Sequence, residues 1–369
     1  MIEKGKISAL QMAILMHPTI IATAILLLPA ITTRHAERDM WISPIWASLT
    51  GFLTVFLAYQ LNQFYPKETI IQYSRHIVGV IPGKIYGLVL LFFYLHINGI
   101  VIREYGEFIV GAFLLQTPIN LVMGSMVLAC AFAVRGGIEV LGRLGQMFVP
   151  IVVLLIFLIF FLLFPDMEPE NMFPIMEKGI IPSMVGAMAP QSWFSEFLLI
   201  SFLLPHLTDR EKGLRWAMIS VFLVLVVMLV TNLATLFIMG GITATLAYPV
   251  MSIVRYISIA DFLEHLESLV MAMWVAGAFI KISVFYYALV LGTAQWLNLS
   301  DYRPLIFPLG LLLTLFAIWS APNLAELAHF LGTASVFYLT SVQTAIPLLL
   351  WMIAQLRRRK DRKKGRASG

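Results

Sequence analysis

The chain has 369 residues, 60% hydrophobic and only 12% charged, with a formal net charge of +5 and a mean hydropathy of +0.89. Soluble domains carry about 25% charged residues, so a soluble domain of ordinary size is excluded and an all-α polytopic membrane protein is expected. The positive charge is concentrated in Arg357, Arg358, Arg359, Lys360, Arg362, Lys363, Lys364 and Arg366; behind a membrane helix such a tail marks the cytoplasmic side and meets anionic lipid rather than nucleic acid.

A span needs about 20 mostly apolar residues. Ten stretches qualify, at 8–32, 41–62, 81–113, 118–135, 146–164, 182–204, 213–238, 264–296, 304–320 and 330–353. Ala22-Thr23-Ala24 in the first faintly resembles a signal-peptidase site, but ILLLPAI continues the apolar run, so the span is expected to be retained. Spans 3 and 8 are long enough to tilt or project. Cys130 lies within span 4 and, as the single cysteine, has no partner within the chain. Between spans 7 and 8, GGITATLAYPVMSIVRYISIADFLEHLESL is interrupted by Gly240, Gly241 and Pro249. It reads as an outer lid of short interfacial helices or as a loop resting on lipid headgroups.

With both termini placed in the cytoplasm, 19 of the 25 Lys and Arg residues fall on the cytoplasmic side, as the positive-inside rule requires. Arg34, Arg38, Arg103, Lys178 and Arg255 fall outside, beside the acidic loop of Asp166, Glu168, Glu170 and Glu177. The spans divide into two five-helix halves, 1–164 and 182–353, followed by the basic tail 354–369. An odd number of spans per half puts the halves in opposite orientations, the arrangement of leucine-transporter-like 5+5 inverted repeats. That symmetry predicts that helices 1 and 6 are discontinuous. Helix 1 has Pro18 and Pro29 around the small patch Ala22-Thr23-Ala24, and helix 6 has Pro190 in GAMAPQSWFSE. Either proline site alone could be a simple kink. Their matched positions in the two halves favour breaks that line a cavity.

Lys281 stands in SLVMAMWVAGAFIKISVFYYALVLG with several apolar turns on either side. An uncompensated charge at that depth costs at least ~2.5–3.5 kcal/mol, so Lys281 needs a partner, a wet cavity or a lost proton. Glu196, in PQSWFSEFLLISFLLP, is the opposite charge at comparable depth. A link between them, direct or through water or Thr23, would offset part of each burial cost; the alternative is a Glu196 that faces a wet vestibule unpaired.

On helix 3, Phe93 and Ile97 share a face by their i, i+4 spacing, as packing residues or as a ligand wall. His96 and Asn98 are placed to bond across helices or line a path, Arg103, Glu104 and Glu107 read as an interfacial cluster, and His17 reads as a packing partner. No Cys/His set has metal-ligand spacing. No phosphate loop, serine elbow or HExxH is present, so neither enzyme function nor a cofactor is expected.

The stretch 248–287, YPVMSIVRYISIADFLEHLESLVMAMWVAGAFIKISVFYY, together with ATAILLLPA, REYGEFIVGAFLLQTPI and Glu196 ahead of FLLP, resembles the B subunit of bacterial spore-germination nutrient receptors. This is the spore permease group of the amino acid–polyamine–organocation superfamily, whose members share the inverted five-helix repeat. The resemblance covers nearly the whole chain. It implies a sensor for a small germinant, expected to be an amino acid, in the spore inner membrane, with A and C subunits as partners. It further implies a pocket of Ala22, Thr23 and Ala24 on helix 1, Phe93 and Ile97 on helix 3, Trp193, Phe194 and Ser195 on helix 6, and Ile280 or Lys281 on helix 8, with Glu196 and Lys281 coupling charge. A half-helix starting near Ser192 would point backbone N–H groups at a carboxylate. Family members often carry glycine where this chain has Ala22, Ala24 and Phe194 or Ser195, so the pocket is expected to be smaller or differently selective. Related sodium-coupled transporters hold a cation between helices 1 and 8, where the Lys281 ammonium would stand in for it. A proton-coupled amino-acid transporter is the alternative function, and a water or ion conduit past His96, Asn98 and Glu196 the third.

Overall fold

In so apolar a chain, each backbone N–H and C=O must be satisfied within its own segment, and helices do this. The computed structural model describes residues 2–255 and 266–367. Among these there are sixteen α-helices and no strand; one isolated parallel bridge joins Ile7 to Leu207. Eight helical stretches are long and apolar enough to cross a membrane. The first, Ala9–Phe64, is 56 residues long and consists of α1 (Ala9–Ala36) and α2 (Ser43–Phe64), joined by a 3₁₀ turn at Glu37–Ile42. A short helix α3 (Ile70–Val78) precedes α4 (Val80–Ala112), and α5 (Ile119–Arg135) and α6 (Ile138–Leu163) follow. The sixth span is built from α7 (Ile181–Gly186), α8 (Met188–Ser195), a 3₁₀ turn at Glu196–Leu199, α9 (Ile200–Leu203) and a further turn at Leu204–His206. Then come α10 (Gly213–Met239), α11 (Pro249–Val254), α12 (Leu266–Leu297), α13 (Ile306–Ser320), α14 (Leu324–Gly332), α15 (Ala334–Thr340) and α16 (Ile346–Ala367), with a π-helical turn at Ser341–Ala345.

Burial follows the hydrophobic pattern. Apolar on all faces, α1 is a central helix, packed against α10, α12, α6 and α8. The equally apolar α6 and α13 leave most of their surface uncovered, as helices facing lipid do.

The expected break in helix 1 is not there: α1 runs unbroken through Pro18 and Pro29. A proline removes only one donor, and the span holds alanine at positions 22 and 24, where glycine would favour unwinding. Hydroxyls add local support: Thr19 donates to the Leu15 carbonyl at 2.7 Å and Thr33 to the Pro29 carbonyl at 2.6 Å. The helix starts at a capping box, with Ser8 accepting from the Gln11 N–H. The sixth span is interrupted twice: at Ala187 between α7 and α8, one turn before Pro190, which has no N–H to offer the Gly186 carbonyl, and at the 3₁₀ turn Glu196–Leu199. The expected tail is also helical, since α16 continues to Ala367 in a run of good helix formers. Arg358 lies over the Phe64 ring at 4.3 Å. Of the expected outer lid, a 3₁₀ turn at Gly240–Thr245 and α11 are seen; its segment 256–265 lies outside the described residues.

Helices α3 and α4 approach backbone to backbone. A Cβ on Gly83 would lie 2.5 Å from the Arg75 Cα, and backbone cannot yield as a side chain can. Gly83→Ala is therefore expected to destabilise the protein by about 1–3 kcal/mol, read as an earlier unfolding midpoint in detergent. Unchanged stability would contradict the close approach.

Candidate functional site

Lys281, midway along α12, is 0% exposed and Glu196 1%. The Lys281 Nζ donates to Glu196 Oε2 at 2.7 Å and to Thr23 Oγ1 at 2.8 Å. It also lies 5.6 Å from the centre of the Phe285 ring, one turn along the same face of α12. One ammonium thus joins α1, the 3₁₀ turn of the sixth span and α12. A buried ion pair holds only when further hydrogen bonds compensate desolvation, and Thr23 provides one. Two of the three ammonium donors are placed among the described residues. A second tie between the same helices runs from the Trp274 indole N–H to the Ala22 carbonyl.

The local sequence explains the turn at Glu196. The Ser192 hydroxyl donates to the Ala189 carbonyl at 2.7 Å and that of Ser195 to the Ser192 carbonyl at 2.5 Å. Such bonds compete with regular helix. Gln343, in the π-helical turn, donates to Ser195 Oγ at 3.2 Å, so irregular segments of the sixth and last spans lie side by side. The expected half-helix starting at Ser192 is absent, because Ser192 lies inside α8.

The other expected pocket residues divide among different faces. Phe93 and Ile97 are buried on one face of α4, with the Phe93 ring 4.9 Å from that of Tyr338. Trp193 and Ala24 are buried. Phe194 packs against α2: a Cβ on Gly51 would lie 2.7 Å from Phe194 Cδ1, beside Val221 of α10. Ala22 and Ile280 line a narrow apolar groove of about 70 Å³ with His17, Phe148, Val254 and Trp274. Their neighbours Thr23 and Lys281 hold the ion-pair cluster. His96 and Asn98 both bond across helices, His96 Nδ1 to Tyr338 Oη at 3.2 Å and Asn98 Nδ2 to the Ile282 carbonyl at 3.3 Å.

The two ends of the bundle differ. On the Arg34 side, a cavity of about 550 Å³ is lined by Leu27, Ile31, Arg34, His35, His329 and Thr333, among others. A neighbouring cavity of about 450 Å³ shares Ile31, His35 and Thr333 and reaches Gly186, Ala189 and Phe337. The opposite side is fastened by the N-terminal segment. Its Glu3 carboxylate accepts from the Gly5 N–H at 2.7 Å, the Tyr302 hydroxyl at 3.0 Å, the Ile138 N–H at 3.3 Å and the Tyr287 hydroxyl at 3.5 Å. Burial and the adjacent Glu3 carboxylate hold the Tyr302 phenol well above its usual pKa range, which keeps it a donor. Further along, Ile7 bonds to His206 and Thr208, and the Ala9 N–H donates to Asp209 at 2.7 Å. Residues 2–9 therefore strap the ends of α6, α12 and the sixth span together. Nothing periodic in the sequence marks this strap.

Sequence reasoning also misplaced Glu104. Arg103 pairs with Glu107 at 2.6 Å and donates to the Pro322 carbonyl at 3.0 Å. Glu104 stands apart from that pair, 2% exposed, and its Oε1 has no hydrogen-bond partner among the described residues. The spacing of Phe93, Ile97, Ile100 and Glu104 on one helical face was the signal that could have placed it.

Comparison with known proteins agrees with this architecture. A nucleobase-cation-symport-1 family transporter, solved closed with bromovinylhydantoin bound, superposes with a TM-score of 0.66 at 10% identity, over 94% of this chain and 78% of that one. MhsT, in complex with L-phenylalanine, gives 0.62 at 12% identity over 94% of this chain and 89% of that one. Spore germination protein KB of Bacillus subtilis (strain 168) is 25% identical over 98% of both chains. Spore germination protein YndE of the same strain is 26% identical over 97% of this chain and 99% of that one. The family model described as spore germination protein, Spore_permease, matches residues 6–325, and the chain therefore belongs to the spore germination protein family.

Proposed function

We propose that the protein is the ligand-sensing membrane subunit of a spore nutrient receptor. It would bind a small amino-acid-like germinant near the bilayer midplane, among α1, α4, the sixth span and α12. The observation that carries this reading is Lys281, buried and fixed by Glu196 and Thr23 across three helices, in a chain whose fold neighbours include a protein solved with an amino acid bound. Counting Ala9–Phe64 as two spans and adding the shorter apolar helix Ile119–Arg135 gives ten, five in each inverted half, 1–164 and 182–353. Both termini face the cytoplasm, so the Arg34-side cavities open outward and the N-terminal strap closes the inner side. The spore inner membrane is the location, and A and C subunits read out the change in helix arrangement. The pocket comprises Thr23, Phe93, Ile97, Trp193, Ser195 and Lys281, with Ala22, Ala24 and Ile280 behind it; Phe194 supports it from the α2–α10 side. Ligand shifts the arrangement only by its differential affinity for the two states.

The buried carboxylate–ammonium pair also supports a second reading, a proton-coupled amino-acid transporter in which Glu196 or Lys281 cycles a proton. Reconstitution of the chain alone in liposomes separates the two. Saturable binding of a labelled amino acid without uptake is the expected result, and uptake driven by a proton gradient would favour the transporter. Because Lys281 already supplies a cation between α1 and α12, exchanging sodium for potassium is expected to leave affinity unchanged; sodium-dependent binding would contradict that role.

A further inference from the structure

We propose that Glu104 is the anchor for a ligand's ammonium group, which, resting on the sensing reading above, makes the site selective for zwitterions over simple carboxylic acids. Glu104 is nine-tenths buried or more, and its Oε1 has no hydrogen-bond partner among the described residues. A buried carboxylate without a donor is unfavourable and calls for a charged or hydrogen-bonded complement. Among the described residues, the cations nearby already pair with other carboxylates. Lys281 is bound to Glu196 at 2.7 Å, and Arg103 to Glu107 at 2.6 Å and the Pro322 carbonyl. Glu104 is within electrostatic reach of both Lys281 and Glu196. Two carboxyl groups share the one ammonium, so a second positive charge beside Glu104 is what would hold it ionised.

The position of Glu104 fits that charge to a ligand. It lies one helical turn beyond Ile100 on the face of α4 that carries Phe93 and Ile97. Tyr248 is within reach of Glu104, and its buried hydroxyl also has no partner. It adjoins Leu246 and Ala247 of the cavity lining. Aromatic rings continue from there: Tyr248 is 5.1 Å from Phe108, and Phe108 is 4.3 Å from Trp274. Aromatic faces beside a carboxylate suit an ammonium. An amino acid placed here would offer its ammonium to Glu104 and its carboxylate to the remaining N–H of Lys281.

The test measures binding to the purified full-length chain by thermal shift, with each standard amino acid set beside its deaminated carboxylic acid. The wild type is expected to respond to at least one amino acid and at least tenfold more weakly to the deaminated partner. Glu104→Gln is expected to lose that preference, with amino-acid affinity falling tenfold or more and affinity for the deaminated acid unchanged or higher. Retained amino-acid affinity within twofold in Glu104→Gln would overturn the proposal and leave the carboxyl a proton carrier only. Should Glu104→Gln fail to fold, Glu104→Asp decides, since a shorter arm should give intermediate affinity and unchanged affinity overturns the anchor. A wild type that binds none of the amino acids overturns the sensing reading itself, a result distinct from a binding wild type indifferent to Glu104.

Discussion

Lys281→Met is expected to destabilise the protein by about 3–5 kcal/mol, because it leaves Glu196 buried beside methylenes instead of an ammonium. The loss should show as a large fall in the unfolding midpoint, accompanied by loss of ligand response. Restoring balance should recover stability. The double variant Lys281→Met, Glu196→Gln carries no buried charge at this pair, and replacing a buried pair by neutral groups is often close to neutral. It is expected to recover most of the loss while remaining unresponsive, since the donor facing the ligand is gone. Thr23 makes the pattern specific: its hydroxyl accepts from Lys281 at 2.8 Å and is left without that donor in both variants. A double-mutant cycle in detergent measures the coupling directly. A single Lys281→Met variant as stable as the wild type would mean that the ammonium and carboxylate are not paired in the folded protein.

The second large effect concerns the N-terminal strap. Glu3→Ala removes one acceptor from four donors, the Gly5 and Ile138 N–H groups and the Tyr287 and Tyr302 hydroxyls. Hydrogen bonds to a charged group are worth about 1.5–3 kcal/mol each, and water will replace some of them once the strap lifts. A net loss of ~3 kcal/mol is expected, which at about 1.4 kcal/mol per decade shifts the closed-to-open ratio roughly 100-fold. The chain has a single cysteine, Cys130, and it is buried, so a clean labelling assay is available. With Cys130→Ala as background, a thiol introduced by Ala9→Cys sits at a buried position at the end of the strap. Its modification rate should rise at least tenfold in Glu3→Ala and by less in Glu3→Gln, which keeps an acceptor. An unchanged rate would show that the strap does not hold that end closed.

What the sequence revealed, and what it hid, follows from the kind of constraint at each residue. Lys281 and Glu196 were legible because hydrocarbon offers a lone charge few escapes, and these two are of opposite sign at similar depth. Thr23 followed because its hydroxyl lies in the first span near the same depth. The continuity of α1 was not legible, because a proline in a membrane helix is compatible with both a kink and a break; hydroxyl-to-carbonyl bonds from Thr19 and Thr33, together with alanine in place of glycine, are what support the helix here. Glu104 was hidden by its neighbours. Arg103 and Glu107 pair at i, i+4, and a residue one position away points about 100° around the helix, a difference that a charge cluster read linearly conceals. Phe194 was assigned to the pocket by resemblance, but Gly51 opens a gap in α2 that the ring fills, a contact between residues more than a hundred positions apart. The strap was invisible for a simpler reason: eight residues joined to distant loops carry no periodicity to read.

The account rests on a mid-membrane site that Lys281 organises around a small zwitterion. The most direct test is ligand-induced stabilisation of the purified wild type beside Lys281→Ala, screened against amino acids, sugars and nucleosides. The expected result is that at least one amino acid raises the wild-type unfolding midpoint in a saturable way and leaves Lys281→Ala unmoved. Equal stabilisation of both proteins, or a wild type that responds only to sugars or nucleosides, would contradict it.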